Sequence, residues 1–122
     1  MLALGSTALP AAAQGAVRTL PDGKLAVRLR GVSALSKVGG AVSIGSVKGN
    51  PVGVARTGKS TYVAFSLRCP HQGVKVVKNA EGWSCPAHGS QFESDGDLVL
   101  GPATTALPKV PARLRGGVLT VG

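Results

Sequence analysis

At 122 residues the chain can hold one domain with its own core and is too short for two. Aromatic residues make up only 3% of it, so the core must come from Val, Leu, Ala and Ile; 18 glycines and 8 prolines break the chain often, which favours short strands over long helices. The net charge of +9 raises nucleic acid or an anionic membrane as a partner, but there is no run of five bases and no interleaved aromatic ring for base stacking, which argues against nucleic acid.

The charge is unevenly spread. Residues 1–68 carry nine Lys/Arg against the single acid Asp22, whereas residues 69–101 carry Lys75 and Lys78 against Glu81, Glu93, Asp95 and Asp97. A slightly acidic segment therefore sits on a basic body, and a solvated surface or attraction to an acidic partner accounts for the balance.

Residues 1–16, MLALGSTALPAAAQGA, are uncharged and rich in Leu and Ala, and are interrupted by Gly5 and Pro10. They are shorter than the ~20 apolar residues of a membrane span. They read either as the remnant of an export signal without its basic start, with small residues Ala11–Ala13 at the cleavage site, or as an Ala-rich flexible leader. Residues 17–122 form the expected domain.

From Leu25 the pattern alternates: Leu25, Val27 and Leu29 share one face, and Lys24, Arg28 and Arg30 the other, as in a half-buried strand. Val42, Ile44 and Val47 repeat the pattern. Lys48-Gly49-Asn50-Pro51 then turns into a strand over 52–56, and Gly58-Lys59-Ser60 turns into a longer strand over 61–67 that delivers Cys69. Residues 74–78 and 82–84 read as a strand pair, the second delivering Cys85. Strands beginning at Phe92 and Leu98 follow, and Gly116-Gly117 joins a last hairpin, 112–115 against 118–121. No window of eleven residues after Ala16 keeps a helical period. The expected fold is all-β, with about nine short strands and no internal repeat.

The chain's two cysteines and two histidines fall in two short segments, Cys69-Pro-His71-Gln-Gly73 and Cys85-Pro-Ala-His88-Gly89-Ser90. Pairing Cys69 with Cys85 in a disulfide would leave the histidines beside them without a role. Two thiolates and two imidazoles form a four-ligand metal set. Zinc would take them as a closed tetrahedral site, and a 2Fe-2S cluster would take both cysteines on one iron and both histidines on the other. Common zinc sites pair like ligands within a segment. Here each segment is mixed, so each loop can offer one ligand to each of two irons.

These segments resemble the Rieske iron-sulfur proteins, whose pattern is C-x-H, an interval and C-x-x-H, with Pro near each Cys and Gly after the second His. Gly101-Pro102-Ala103-Thr104 resembles the family's cluster-covering loop, and a looser likeness runs from about Val42 to Val121. The resemblance implies a Rieske-type antiparallel β-sandwich with a small cluster-binding lobe at about residues 67–103. It implies one 2Fe-2S cluster per chain, held by Cys69, His71, Cys85 and His88, with Ser90 donating a hydrogen bond to a cluster sulfur.

Three positions depart from the quinol-oxidising members. Val74 and Ala87 stand where those have a disulfide pair, and Phe92 stands where high-potential members have a Tyr hydroxyl. Hydrogen bonds to sulfur favour the reduced centre, so the missing hydroxyl places the expected potential in the middle of the Rieske range. Trp83 is expected to be a packing anchor, Gln72 and Gln91 to hydrogen-bond near the cluster, and Glu93, Asp95 and Asp97 to form a solvated turn.

No nucleophile-base pair or phosphate loop is present, so the expected role is one-electron transfer. The first expectation is an extracytoplasmic electron-transfer protein or iron-sulfur subunit serving redox partner proteins, a quinol or cytochrome system among them, in peripheral association with a membrane or complex. The alternatives are a soluble cytoplasmic Rieske ferredoxin serving an oxygenase and, from another class, a structural zinc module.

Overall fold

The computed structural model describes residues 16–70, 73–80, 82–87, 89–101 and 103–122. The first strands are β1 (Val17–Thr19) and β2 (Leu25–Arg28), followed by two single 3-10 turns, Leu29–Gly31 and Ser33–Leu35. Then come β3 (Ala41–Val47), β4 (Asn50–Arg56), β5 (Tyr62–Ser66), β6 (Val77–Lys78), β7 (Gly82–Ser84), β8 (Gln91–Glu93) and β9 (Leu98–Leu100). β10 (Lys109–Val110), β11 (Ala112–Arg115) and β12 (Val118–Val121) complete the order. The strands pair antiparallel in three sheets of four, β1-β2-β12-β11, β10-β5-β4-β3 and β6-β7-β8-β9.

The middle sheet is the organising layer. Successive side chains of a strand point to opposite faces. On one face Val42, Ile44, Val52, Val54 and Ala64 pack with Leu25, Val27, Leu119 and Val121 of the first sheet. On the other, Ala41, Ala55, Phe65 and Leu67 pack with Trp83 and Phe92 of the third. The first two sheets make the sandwich and the third is the smaller lobe, in agreement with the expected all-β Rieske architecture. Because the middle sheet is covered on both sides, Val52–Ala55 is buried without interruption and loses the polar alternation of a half-buried strand.

Gly53 makes the contact between middle sheet and lobe possible. A Cβ there would lie 3.0 Å from both Leu67 Cδ2 and Phe65 Cε1 and 3.2 Å from Trp83 Cζ2. The indole of Trp83 fills that slot, edge-on to Phe65 with ring centroids 5.8 Å apart, and its Nε1–H donates to Ser94 O at 3.1 Å. Trp83 is thus the packing anchor expected of it, with its one polar atom satisfied.

Several boundaries differ from the sequence reading. The β3–β4 turn is only Lys48-Gly49, with φ of 53° and 82°, and Asn50 and Pro51 already pair with Val47 and Ser46 in the sheet. Both residues at positive φ mark a two-residue turn whose twist matches the strands, as at Gly116-Gly117 with φ of 58° and 79°. β2 ends at Arg28, and Leu29 winds into a 3-10 turn instead of continuing the alternation. Only Val77–Lys78 of the expected 74–78 strand joins the lobe sheet. Before it, Lys75 bridges to Arg68 and Val76 N–H donates to Leu67 O, so this segment first pairs with the exit of β5. β1 and β10 were not foreseen, because three and two residues are too few to register a period.

Candidate metal centre

Two strand exits supply the two cysteines. The chain leaves β5 through Leu67 and Arg68 to Cys69, and leaves β7 directly into Cys85. The two loops then close in the same way. Cys69 N–H donates to Val74 O at 2.8 Å and Gly73 N–H donates to Cys69 O at 2.7 Å. Cys85 N–H donates to Ser90 O at 2.8 Å and Gly89 N–H donates to Cys85 O at 2.9 Å. Gly73 and Gly89 have φ of 76° and 84°. Among the described residues a Cβ at either would meet nothing within 4 Å, and the backbone conformation calls for glycine here.

Both cysteines are free thiols and almost fully buried, at 1% and 2% exposure. They are not joined to each other, so two soft sulfur donors stand at equivalent positions of two equivalent loops. That donor chemistry fits a thiolate-ligated iron centre. His71 and His88, the other two expected ligands, lie outside the described residues, as do Gln72, Pro102 and the leader residues 1–15.

Ser90 is fully buried, and its Oγ accepts a hydrogen bond from Ala103 N–H at 3.0 Å. A hydroxyl that accepts through a lone pair keeps its proton to donate. The same side chain therefore ties the second cysteine loop to the segment after Gly101 and has a donor to offer the site.

Arg68, Ser66 and Asn50 support the first loop, and the sequence reading singled out none of them. Arg68 donates through Nη1 to Gly73 O at 3.3 Å, Ser66 Oγ accepts from Arg68 N–H at 3.2 Å, and Ser66 Oγ donates to Asn50 Oδ1 at 3.2 Å. Nothing local marks Asn50, which lies sixteen positions before Ser66.

The three departures from the family pattern are also placed. Val74 is half-buried against the lobe core, Ala87 is exposed, and Phe92 is buried in β8 directly opposite Trp83 of β7. Gln91 is exposed in β8. Lys78 reaches over the Trp83 ring at 5.9 Å, and burial lowers its pKa from the ordinary lysine value. Glu93, Asp95 and Asp97 cluster around a turn in which Asp95 Oδ1 accepts from Asp97 N–H and Glu93 O accepts from Gly96 N–H. Turn chemistry accounts for these acids.

The profile of the family described as the Rieske 2Fe-2S domain matches residues 27–111. Carotenoid phi-ring synthase of Chlorobaculum tepidum is 40% identical over 76 residues, which are 61% of this chain and 12% of that protein. The cytochrome b6-f complex iron-sulfur subunit of Trichodesmium erythraeum is 36% identical over 72 residues, 56% of this chain and 40% of that protein. The chain thus spans less than half the length of these curated relatives. Among solved structures, the cyanobacterial plasma membrane Rieske protein PetC3 from Synechocystis PCC 6803 superposes with a TM-score of 0.57 at 28% identity, covering 67% of this chain and 85% of that one. The ferredoxin of carbazole 1,9a-dioxygenase from Nocardioides aromaticivorans IC177 gives 0.51 at 25% identity, covering 70% and 86%. With two matched cysteine loops on a sandwich-and-lobe fold, and the profile running through both, this chain belongs to the Rieske 2Fe-2S domain family.

Proposed function

We propose that this chain carries single electrons as the iron-sulfur component of an extracytoplasmic oxidoreductase system. In this reading Cys69 and Cys85 ligate one iron of a 2Fe-2S cluster and His71 and His88 the other. The observation that carries it is the equivalence of the two cysteine loops, each closed by the same pair of backbone bonds around a buried free thiol. When bound, such a cluster supplies a one-electron couple whose potential is raised by two neutral imidazole ligands relative to an all-cysteine centre.

The chain's own residues supply the rest. Burial of Cys69 and Cys85 keeps water from the sulfurs, Gly73 and Gly89 let the loops turn back, and the Ser90 hydroxyl donates toward a sulfur. The partner is a redox protein, within a quinol or cytochrome system. The named likenesses to a b6-f iron-sulfur subunit and a plasma membrane Rieske protein support an extracytoplasmic setting. Among the described residues no helix is long and apolar enough to cross a membrane.

A redox titration followed by electron paramagnetic resonance, with iron analysis, tests the proposal. The expected result is a 2Fe-2S signal from a coloured protein with a potential in the middle of the Rieske range. A colourless chain holding one zinc overturns it. A strongly negative potential favours the second reading, a ferredoxin serving an oxygenase, for which the buried and hydroxyl-free Phe92 and the non-cysteine Val74 and Ala87 speak.

A further inference from the structure

The outer face of the first sheet carries an arrangement that the electron-transfer reading does not use. Residues directly opposite on neighbouring strands share a face. One cross-strand row of that face reads Arg18, Ala26, Thr120, Arg113, and the next reads Arg28, Val118, Arg115. Ala26, Val118 and Thr120 share the two inner strands with exposed Arg28, and exposed Arg18 on β1 and Arg113 and Arg115 on β11 stand on the edge strands, about 14 Å apart at the usual strand spacing. Lys24 adds a further cation where a groove of about 440 Å³ opens beside Arg113 and Arg115. The opposite face of the same sheet is the sandwich core, so these charges all point one way.

We propose that this face docks on an anionic lipid bilayer. Two observations favour a lipid surface over the alternatives. The charges form a broad cationic face on a sheet, with no aromatic side chain among them for stacking on bases. Glu93, Asp95 and Asp97 lie at the β8–β9 end of the lobe sheet, beyond the middle sheet, whereas Asp22 at the β1–β2 turn is the one acid of the first sheet, so an anionic plane is drawn to the arginine face more than to the lobe. A redox protein seated here would be separated from Cys69 and Cys85 by the thickness of the sandwich. A bilayer here lies across the middle sheet from Cys69 and Cys85 and leaves their side of the molecule to that partner. The inference concerns the sandwich alone and holds whether or not a cluster is bound.

The test is co-sedimentation of the full chain with phosphatidylcholine vesicles, with and without phosphatidylglycerol, at about 0.1 M salt, where exposed charges are screened beyond ~10 Å. The expected result is binding only to the anionic vesicles, weakened about five-fold for each arginine removed, and so about 100-fold in R18Q/R113Q/R115Q. The control K37Q/K48Q/K59Q removes the same charge from exposed positions off this sheet and is expected to retain most of the binding. Trp83 fluorescence, from the far layer, reports that each variant is folded. Three results overturn the proposal: no preference for anionic vesicles, equal losses in the two triple variants, or competition by soluble polyglutamate as effective as anionic lipid, which would make the occupant an acidic protein.

Discussion

The hydroxyl of Ser90 accepts the backbone N–H of Ala103 at 3.0 Å, and both residues are buried. With Val74 and Ala87 in place of a disulfide pair, this bond is a polar tie between the second cysteine loop and the segment that follows Gly101. Ser90→Ala would leave a buried N–H without a partner, at a cost of ~1–3 kcal/mol. In the proposed reading it would also remove a donor to a cluster sulfur, so the potential is expected to fall. Chemical denaturation and a redox titration of the same preparation check both effects, and a potential equal to wild type would assign Ser90 to the loop tie alone.

Gly53→Ala places a methyl 3.0 Å from Leu67 and Phe65 and 3.2 Å from Trp83 in a core closed on all sides. Overpacking of this kind costs ~1–3 kcal/mol. The expected readout is a lower denaturation midpoint with a shifted Trp83 emission. An unchanged midpoint would mean that the lobe slides on the middle sheet instead of being keyed to it.

Gly73→Ala and Gly89→Ala meet no neighbour among the described residues, and the positive φ opposes them at ~1–2 kcal/mol each. Asparagine tolerates this conformation better than alanine. The order expected in iron retained after chelator challenge is therefore glycine, then asparagine, then alanine at both positions. Equal retention in all three would show that the loop conformation is not what holds the metal.

Phe92→Tyr adds a hydroxyl at a position buried to 2% exposure, opposite Trp83. A hydrogen bond from it to a cluster or ligand sulfur stabilises the reduced, more negative centre, so the potential is expected to rise. A redox titration giving the same or a lower value would remove Phe92 from the neighbourhood of the cluster.

With His71 and His88 as the proposed ligands, the potential is also expected to fall with rising pH once their imidazoles titrate. Oxidation makes the centre more positive and its ligands more acidic, so oxidation releases protons and becomes easier as pH rises. Titration from neutral to strongly alkaline pH checks the sign, and a flat profile would reject the coupling.

What could be read along the chain was whatever a few adjacent residues decide. The cysteine and histidine spacing specifies a candidate ligand set because metal chemistry acts over two or three positions, and Gly116-Gly117 specifies a turn because positive φ is a property of each residue. The strand read at 61–67 stood out by its alternation, and that at 98–100 by the turn that precedes it. The family likeness followed from those same short motifs.

The tertiary structure decided what depends on residues distant in sequence. Val52–Ala55 became a strand covered on both faces only when one sheet packed on each side. The slot over Gly53 is filled by a tryptophan thirty positions later, the Ser90 hydroxyl finds an N–H thirteen positions later, and Arg18 lines up with Arg113 across three strand pairings. None of these contacts leaves a local pattern, because each partner by itself is an ordinary residue. The sequence by itself determined the candidate ligand set and the turns, which are matters of local geometry. Packing and register decided how the cysteine loops are tied and which way the arginines face, because those depend on which surfaces the folded chain brings together.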